Sequence, residues 1–480
     1  MTQFTRRKFI ATTALGTAAA MFPFSGYLFA EETRVRPNVY SPRGQTMLAL
    51  YEKAVGVMKS RAEGDPTSWA FQWYTHWVPG VTSDDKTKNE KIARLPPAER
   101  AAAQTMWNTC QGHGPNRAAT IPYFLPWHRM EVYYFEQIVR AASGDPSFVL
   151  PYWNYLEKGR GVLPDKFRDT RSPLYNPDRR PPGHPGTGVN EGEVVPSDEV
   201  NYDCLKLDDY YLSASVPPNF SASINNNPHG IMHDLIGNEF TDDPLKAGMA
   251  LIPTAANDAI FFLHHCNIDR LWASWNAGGK KNPDDAGWKD KEFTFANTDG
   301  TLAKHRCEDF NDIAKLGYSY EALEPVSAPV QVAALTARRV APSTLGARSA
   351  IALGGAAQDI ALTPPPANGG LKASLGGRKV YLVIEGLKID ALPGTHYDIY
   401  LGAPKGATGA KLKPYYVGTP SFFEAAGMPG MGSDFTFDVT DVMARLGKKG
   451  EGAQVRIVPR GGAPRKGSNP TIAKISLVAG

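Results

Sequence analysis

The sequence predicts a mainly α-helical bundle in the first two thirds of the chain, followed by a C-terminal antiparallel β-sandwich. Apolar residues recur at helical spacing to about residue 280, whereas short alternating or β-branched runs separated by Gly and Pro fill the last part. The 480 residues also exceed the length that one hydrophobic core usually covers. We therefore expect a helical domain over 31–325, a linker over 326–368 and a β-domain over 369–480.

The first 30 residues predict an export signal. Arg6 and Arg7 form a twin-arginine pair, and a small, moderately apolar run follows them. This run is short and is interrupted by Pro23, so it does not predict a membrane anchor, and no other segment is long and apolar enough to span a bilayer. We expect a bacterial protein that is exported by the twin-arginine route, is periplasmic or secreted, and has no membrane association after signal cleavage.

Two helices are predicted before residue 80. Ser41 and Pro42 form the start signal of one helix, and apolar positions with a period of about 3.6 residues follow them. Trp69, Trp73 and Trp77 form a stripe at four-residue spacing on the second helix. We expect these aromatic side chains to belong to the core.

Three histidines in the first 130 residues form one candidate metal-binding set. His76 ends the Trp-rich helix, His113 follows Cys110, and His128 lies where an aromatic run continues into a further helix. The segment from 159 to 228 is rich in Pro, Gly, Asn and Asp and predicts long surface loops. The sequence therefore predicts that the helices around this segment hold the ligands.

A second set of histidines is more specific because of its spacing. His229 and His233 are four residues apart, which places both imidazoles on one helical face. The apolar helix predicted over 257–272 carries His264 and His265 into the core. A lone buried histidine is usually a core residue, but this combination favours a shared metal ion. Purely imidazole ligation favours Cu, Zn, Fe or Ni over Mg and Ca, which prefer oxygen.

The residues around His128 and His265 match two family signatures. The first signature, Phe-x-x-Trp-His-Arg with a glutamate eight residues past the histidine, is met by His128, Arg129 and Glu136. The second signature, Asp-Pro-x-Phe-x-x-x-His-x-x-x-Asp, is met by Asp258, Phe261, His265 and Asp269, and Ala259 stands in place of the proline. The chain therefore resembles the type 3 copper proteins, which include tyrosinases, catechol oxidases (polyphenol oxidases) and haemocyanins.

This resemblance implies a dinuclear site with two copper ions and O2 as co-substrate. The implied copper ligands are His76, His113, His128, His229, His233 and His265. By the family register His264 is a neighbour of the ligands, and Arg129 and Asp269 lie around them. Many relatives carry a thioether between a cysteine and the second histidine of the first set. Cys110 is either such a partner or a small buried hydrophobe.

The residues expected around the pocket bear on substrate choice. In plant-type relatives a glutamate and an asparagine near the first histidine of the second set polarise a water, and here those positions are Asn225 and Gly230. Asparagine cannot carry charge, so it makes a poor base. Asp234 either compensates from the pocket side or is a solvated helix residue. At the entrance Ile252 replaces a phenylalanine gate and Ala255 is small, which predicts an open, apolar mouth.

The expected function is oxidation of ortho-diphenols, and of ortho-aminophenols, to quinones. Full monophenol hydroxylase activity is an alternative, and a haemocyanin-like O2 carrier is an alternative of another class. A dinuclear zinc hydrolase is disfavoured because it normally has a bridging carboxylate among its ligands. A net charge of +4 with scattered charged residues gives no reason to expect nucleic acid. The expected partners are a small phenol and a copper chaperone.

The C-terminal part follows a segment poor in aromatic residues, which allows two short strands within the predicted linker. The later runs resemble the C-terminal domain of plant-type polyphenol oxidases. That resemblance implies a domain that covers the copper site until the linker is cut, through the loop that carries Phe422, Phe423 and Met428. The alternative is a β-domain that only stabilises the helical bundle.

Overall fold

The computed structural model describes residues 33–80, 86–111, 121–182, 188–212, 216–326, 342–363, 378–427, 432–446 and 454–480. The predicted export signal, His113 and Met428 lie outside the described residues. Within the described ranges, none of the helices has the length and apolarity needed to cross a membrane.

The N-terminal part is built from helices, as the sequence predicts. Its described helices are α1 (Pro42–Lys59), α2 (Trp69–His76), α3 (Lys86–Arg94), α4 (Pro97–Met106), α5 (Phe124–Ser143), α6 (Asp165–Arg168), α7 (Phe220–Ile224), α8 (Ile231–Ile236), α9 (Ile252–Ala255), α10 (Ile260–Ala277) and α11 (Ala286–Lys289). Ser41 caps α1 by accepting the Gly44 amide at 3.1 Å, and Ser68 caps α2 by accepting the Phe71 amide at 3.1 Å.

Helices α5 and α10 form the centre of this domain. Both are buried along most of their length, which is typical of helices in the core of a large domain, and both carry charged residues within that core. Helix α5 ends at Gly144, whose φ of 73° is the left-handed conformation that glycine adopts readily at a helix C-terminus. Helix α1 packs against α5, and Tyr51 of α1 donates a hydrogen bond to the carbonyl of Ala259, just before α10.

A buried network of charged side chains joins these helices. Glu136 of α5 accepts from Arg36 at 2.7 Å, and Asp269 of α10 accepts from both Arg36, at 3.2 Å, and Arg129. Burial raises the pKa of Glu136 and Asp269, but the adjacent guanidinium groups lower it further, so the pKa of both carboxyls lies below its ordinary value. Tyr318 adds a hydrogen bond to Asp269 at 2.7 Å.

Two small sheets close the helical domain. Strand β1 (Arg34–Arg36) pairs in parallel with β4 (Tyr318–Tyr320), so that Arg36 and Tyr318, which lie near opposite ends of the domain's sequence, both reach the charged network. Strands β2 (Glu292–Ala296) and β3 (Leu302–Arg306) form an antiparallel hairpin that packs on α5.

The C-terminal part is an antiparallel β-sandwich. Its described strands are β5 (Ser343–Ala352), β6 (Gln358–Ala361), β7 (Val380–Lys388), β8 (Tyr397–Leu401), β9 (Tyr416–Gly418), β10 (Ser433–Asp438), β11 (Gln454–Pro459) and β12 (Thr471–Ala479), with helices α12 (Phe423–Gly427) and α13 (Thr440–Leu446). One sheet has the order β10-β7-β12-β5 and the other β6-β11-β8-β9. Apolar residues of both sheets share one core, and the predicted fold class is confirmed.

The segment predicted as a linker contains more structure than the sequence indicates. Strand β5 is 10 residues long and pairs with β12, and β6 pairs with β11. Residues 343–361 are therefore part of the sandwich, because they complete the edges of both sheets. The boundaries of the domains stay predictions.

The two parts contact one another through buried polar groups. Glu239 of the helical domain accepts from Arg180 at 2.6 Å and is 2.8 Å from His396 of the sandwich. Asp234, at the middle of α8, accepts the amide of Phe422 at 3.0 Å. Buried charge-assisted hydrogen bonds of this kind fix the position of one surface on another.

Candidate metal centre

The first predicted set is brought together by α2 and α5. His76 is the last residue of α2, and its ring is fully buried. His128 lies in the first turns of α5, where its Nδ1 donates to the carbonyl of Phe124 at 2.7 Å. The sulfur of Cys110 is 3.4 Å from Nε2 of His128. Possible ligand atoms of His76, Cys110 and His128 all lie within 4.8 Å of one another.

The second set lies on α8, α10 and the irregular turn before α8. His229 donates from Nδ1 to the carbonyl of Asn225 at 3.1 Å, and His233 donates from Nδ1 to the carbonyl of Met249 at 2.8 Å. His264 and His265 come from the first half of α10. One possible ligand atom from each of these four histidines lies within 4.8 Å of the others.

The two sets face each other inside one core. The rings of His128 and His265 stack with centroids 4.4 Å apart and planes at 10°. The ring of Phe261, also on α10, is 4.9 Å from His76 and 4.1 Å from His265. Helices α5 and α10 therefore place one imidazole of each set side by side.

All six described histidines of the two clusters are buried and uncharged at neutral pH. Burial lowers the pKa of His76 and His229 to about 3 and lowers the pKa of the others well below its ordinary value. The neutral imidazole, with a free lone pair on one nitrogen, is the form that binds a metal ion. No charge has to be removed from these rings before they can act as ligands.

The donor set fits copper. In His128, His229 and His233 the Nδ1 hydrogen is held by a backbone carbonyl, which fixes the tautomer and leaves Nε2 as the donor atom. Among the described residues neither cluster includes a carboxylate, which disfavours Mg and Ca and the usual dinuclear zinc site. The expected ligands His76, His128, His229, His233 and His265 are thus brought together, and His113 stays a prediction.

The structure also places the other residues singled out by the sequence. Arg129 and Asp269 form an ion pair between α5 and α10, and Arg129 also stacks on Trp272 at 3.5 Å. His264 lies within the second cluster and close to Tyr155, at 5.8 Å between ring centroids. Cys110 contacts His128, and a thioether with His113 stays untested because His113 lies outside the described residues.

The pocket side differs from expectation. Asp234 is only 2% exposed, so its interpretation as a solvated residue is wrong; its carboxylate accepts from the Phe422 amide. Burial raises the pKa of Asp234 to about 7. The mouth predicted to be open is covered, because Ile252 and Ala255 are buried in the same apolar cluster as Phe423.

Four residues of the sandwich, Ser421–Glu424, make this cover, and we call them the docking segment. Phe423 stacks on His233 at 3.8 Å with planes at 13°, and its ring is 5.6 Å from that of His229. Glu424 accepts a hydrogen bond from the side chain of Asn225. Phe423 was expected near the site, but Glu424 was not, because nothing local in the sequence links residues 199 positions apart.

Comparison with known proteins gives a consistent result. Residues 66–278 match the model of the common central domain of tyrosinase. A tyrosinase from Hahella sp. (strain CCB-MM4) is 29% identical over 474 residues, which cover 89% of this chain and 95% of the relative. A chloroplastic polyphenol oxidase from Malus domestica is 26% identical over 480 residues, which cover 90% of this chain and 76% of the relative.

Solved structures of similar proteins show the same fold. Latent apple tyrosinase has a TM-score of 0.59 at 23% identity, with 94% of this chain and 98% of that chain covered. A recombinant latent aurone synthase has a TM-score of 0.61 at 19% identity, with 94% and 90% covered. Both alignments extend over the helical domain and the sandwich together.

We expect the purified protein to bind about two coppers per chain, because there are two sets of imidazole ligands. Activity should be lost on replacement by alanine of any one of His76, His128, His229, His233 and His265. Metal analysis and oxidase assays check both points. His305→Ala is the control, since this ring contacts Tyr134 outside both sets. Full activity with one bound copper would contradict the dinuclear centre.

His264→Ala should reduce activity and copper content less than His265→Ala. The reason is position: the ring of His265 stacks on His128 of the first set, whereas the described ring contacts of His264 are with Tyr155 and with histidines of the second set only. Copper content and the rate of catechol oxidation, measured for both variants at equal protein concentration, provide the test. The opposite ranking would show that His264 is the ligand.

Proposed function

Because the chain belongs to the tyrosinase and polyphenol oxidase family of copper oxidoreductases, we propose that it oxidises ortho-diphenols to ortho-quinones with O2. The observation that carries this proposal is the side-by-side placement of two histidine sets, with His128 stacked on His265. ortho-Aminophenols are a second substrate class that the same chemistry would accept. Export by the twin-arginine route and delivery of copper by a chaperone stay predictions from the sequence.

The imidazoles of the two sets would hold the two coppers. When bound, the metal pair supplies a redox centre that takes two electrons from the diphenol and passes electrons to O2. The chain's own contribution is to hold the rings. Backbone carbonyls fix the tautomers of His128, His229 and His233, and the ring of Phe261 packs against His76 of one set and His265 of the other.

Preference for diphenols over monophenols is proposed from Asn225. This residue is 2% exposed, lies four residues before His229 and is hydrogen-bonded to Glu424. An amide cannot accept the proton of a phenol, so Asn225 does not supply the base that the glutamate at this position would help to provide for monophenols. Monophenol hydroxylation is the second candidate, favoured by the buried carboxylate of Glu424 beside Asn225.

Shielding of the centre by the sandwich is proposed from Phe423. Its ring stacks on His233, one of the expected ligands, and is fully buried. A planar phenol that approaches the second set from this side would have to take the place of that ring. The docked domain would then keep activity low, and stabilisation of the bundle alone is the alternative.

The wild type should oxidise catechol much faster than tyrosine. A glutamate at position 225 should raise the monophenol rate, since a positioned base contributes roughly 10²–10⁴-fold. Asn225→Glu alone would face Glu424, so the change is made together with Glu424→Gln, and Glu424→Gln alone is the matched control. The readout is the ratio of tyrosine to catechol turnover. Efficient tyrosine hydroxylation by the wild type, lost in Glu424→Gln, would favour the second candidate.

Phe423→Ala should raise kcat/KM for catechol several-fold by opening the face of His233. Phe437→Ala is the control, because this half-buried ring lies on β10 of the same domain, and none of its described ring contacts is to a histidine. Cleavage at a protease site introduced within 327–341, followed by removal of the sandwich and assay with excess copper, should act in the same direction. Unchanged rates for Phe423→Ala would leave the domain as a structural support.

A further inference from the structure

The docking segment is held firmly by its own domain. Phe422 is 1% exposed, belongs to the core of the sandwich and packs edge-on against Tyr397 at 6.0 Å. Just before the segment, Thr419 donates to Asp398 at 2.7 Å. The segment can therefore impose a position on whatever it contacts in the helical domain.

What it contacts is the turn that carries His229. Residues Asn225–Gly230 do not form a regular α-helix, and Asn227 is extended with φ −138°. Regular helical hydrogen bonds therefore do not fix this turn by themselves. The amide of Ser421 donates to the side chain of Asn226 at 3.3 Å, and a Cβ at Gly230 would fall 2.6 Å from the Ser421 hydroxyl. Glycine at 230 thus permits the close approach of Ser421.

Glu424 extends this contact to a metal ligand. Its carboxylate accepts from the side chain of Asn225, and the carbonyl of Asn225 accepts from Nδ1 of His229 at 3.1 Å. Glu424 and Asn225 are 8% and 2% exposed, so solvent competes little for these bonds. Two successive hydrogen bonds, through Asn225, thus connect Glu424 of the sandwich to His229.

We propose that Glu424 and Ser421 are positioning residues of the second metal site, so that the docked sandwich increases the affinity of that site for copper. Among the described residues, the ring contacts of the segment with expected ligands go to His229 and His233 of this set. Loss of a group that orients a ligand typically costs about 10–100-fold in metal affinity. The proposal rests on the copper centre and is independent of substrate preference and of shielding.

The test measures copper affinity of the full chain and not turnover. Metal-free protein is titrated with Cu(I) against a chromophoric chelator in two backgrounds: His128→Ala, which leaves the second site, and His233→Ala, which leaves the first. Glu424→Ala should weaken the copper bound in the His128→Ala background about tenfold or more and leave the other background unchanged. Glu424→Gln retains an acceptor oxygen and should restore the affinity.

Two further variants keep the outcome clear. Glu385→Ala, which removes an exposed ion pair with Lys474 in the same domain, is the control and should change neither site. Gly230→Ala pushes Ser421 away from the other side of the turn and should weaken the second site as Glu424→Ala does. Equal affinity of wild type and Glu424→Ala, or equal losses in both backgrounds, would overturn the proposal. Failure of shielding would instead appear only in the catechol rate of Phe423→Ala.

Discussion

The buried ion network between α5 and α10 is the interaction on which the metal centre depends. Asp269 on α10 is bound by Arg129 of α5 and by Arg36 of β1, and Arg36 also binds Glu136. Removing one member of such a network leaves an uncompensated buried charge and typically costs about 3–5 kcal/mol. The network is thus a strong constraint on the register of the two helices.

That register decides the geometry of the site. His128 lies beside Arg129 in sequence, and His265 lies four residues before Asp269, one turn away on the same face of α10. Locking Arg129 to Asp269 therefore also sets the distance between the two imidazoles, whose centroids are 4.4 Å apart. The charged network and the metal centre are thus both formed by the same pair of helices, α5 and α10.

The sequence could predict whatever depends on local spacing. The helices, the four-residue step from His229 to His233 and the apolar environment of His265 all follow from short-range patterns, and the structure places those rings together. The two-sheet sandwich also follows from alternating runs, although the sequence does not predict the full length of β5, because its partner β12 lies far along the chain.

Contacts between distant segments could not be predicted in the same way. Asp234 was expected to face either the pocket or solvent, but its partner is the amide of Phe422, which is 188 residues away. From the sequence, Gly230 indicates only that a side chain is absent at this position. The structure shows that Ser421 packs closely against it. Such positions are decided by how two domains dock, for which single-sequence periodicity carries no information.

The docking segment has two opposite effects on the metal centre: it limits the access of a substrate, and it holds a metal ligand in place. Phe423 covers His233, while the adjacent Glu424 reaches Asn225 and thereby His229. Removal of the whole sandwich would open the centre and would also release the turn that carries one of its ligands. Phe423 and Glu424 turn about separate side-chain torsions, so a change of rotamer at Phe423 alone would move its ring and leave the Glu424 contact in place. A local movement of this kind gives a phenol access at the least cost to the metal site, which favours a domain that stays attached during turnover.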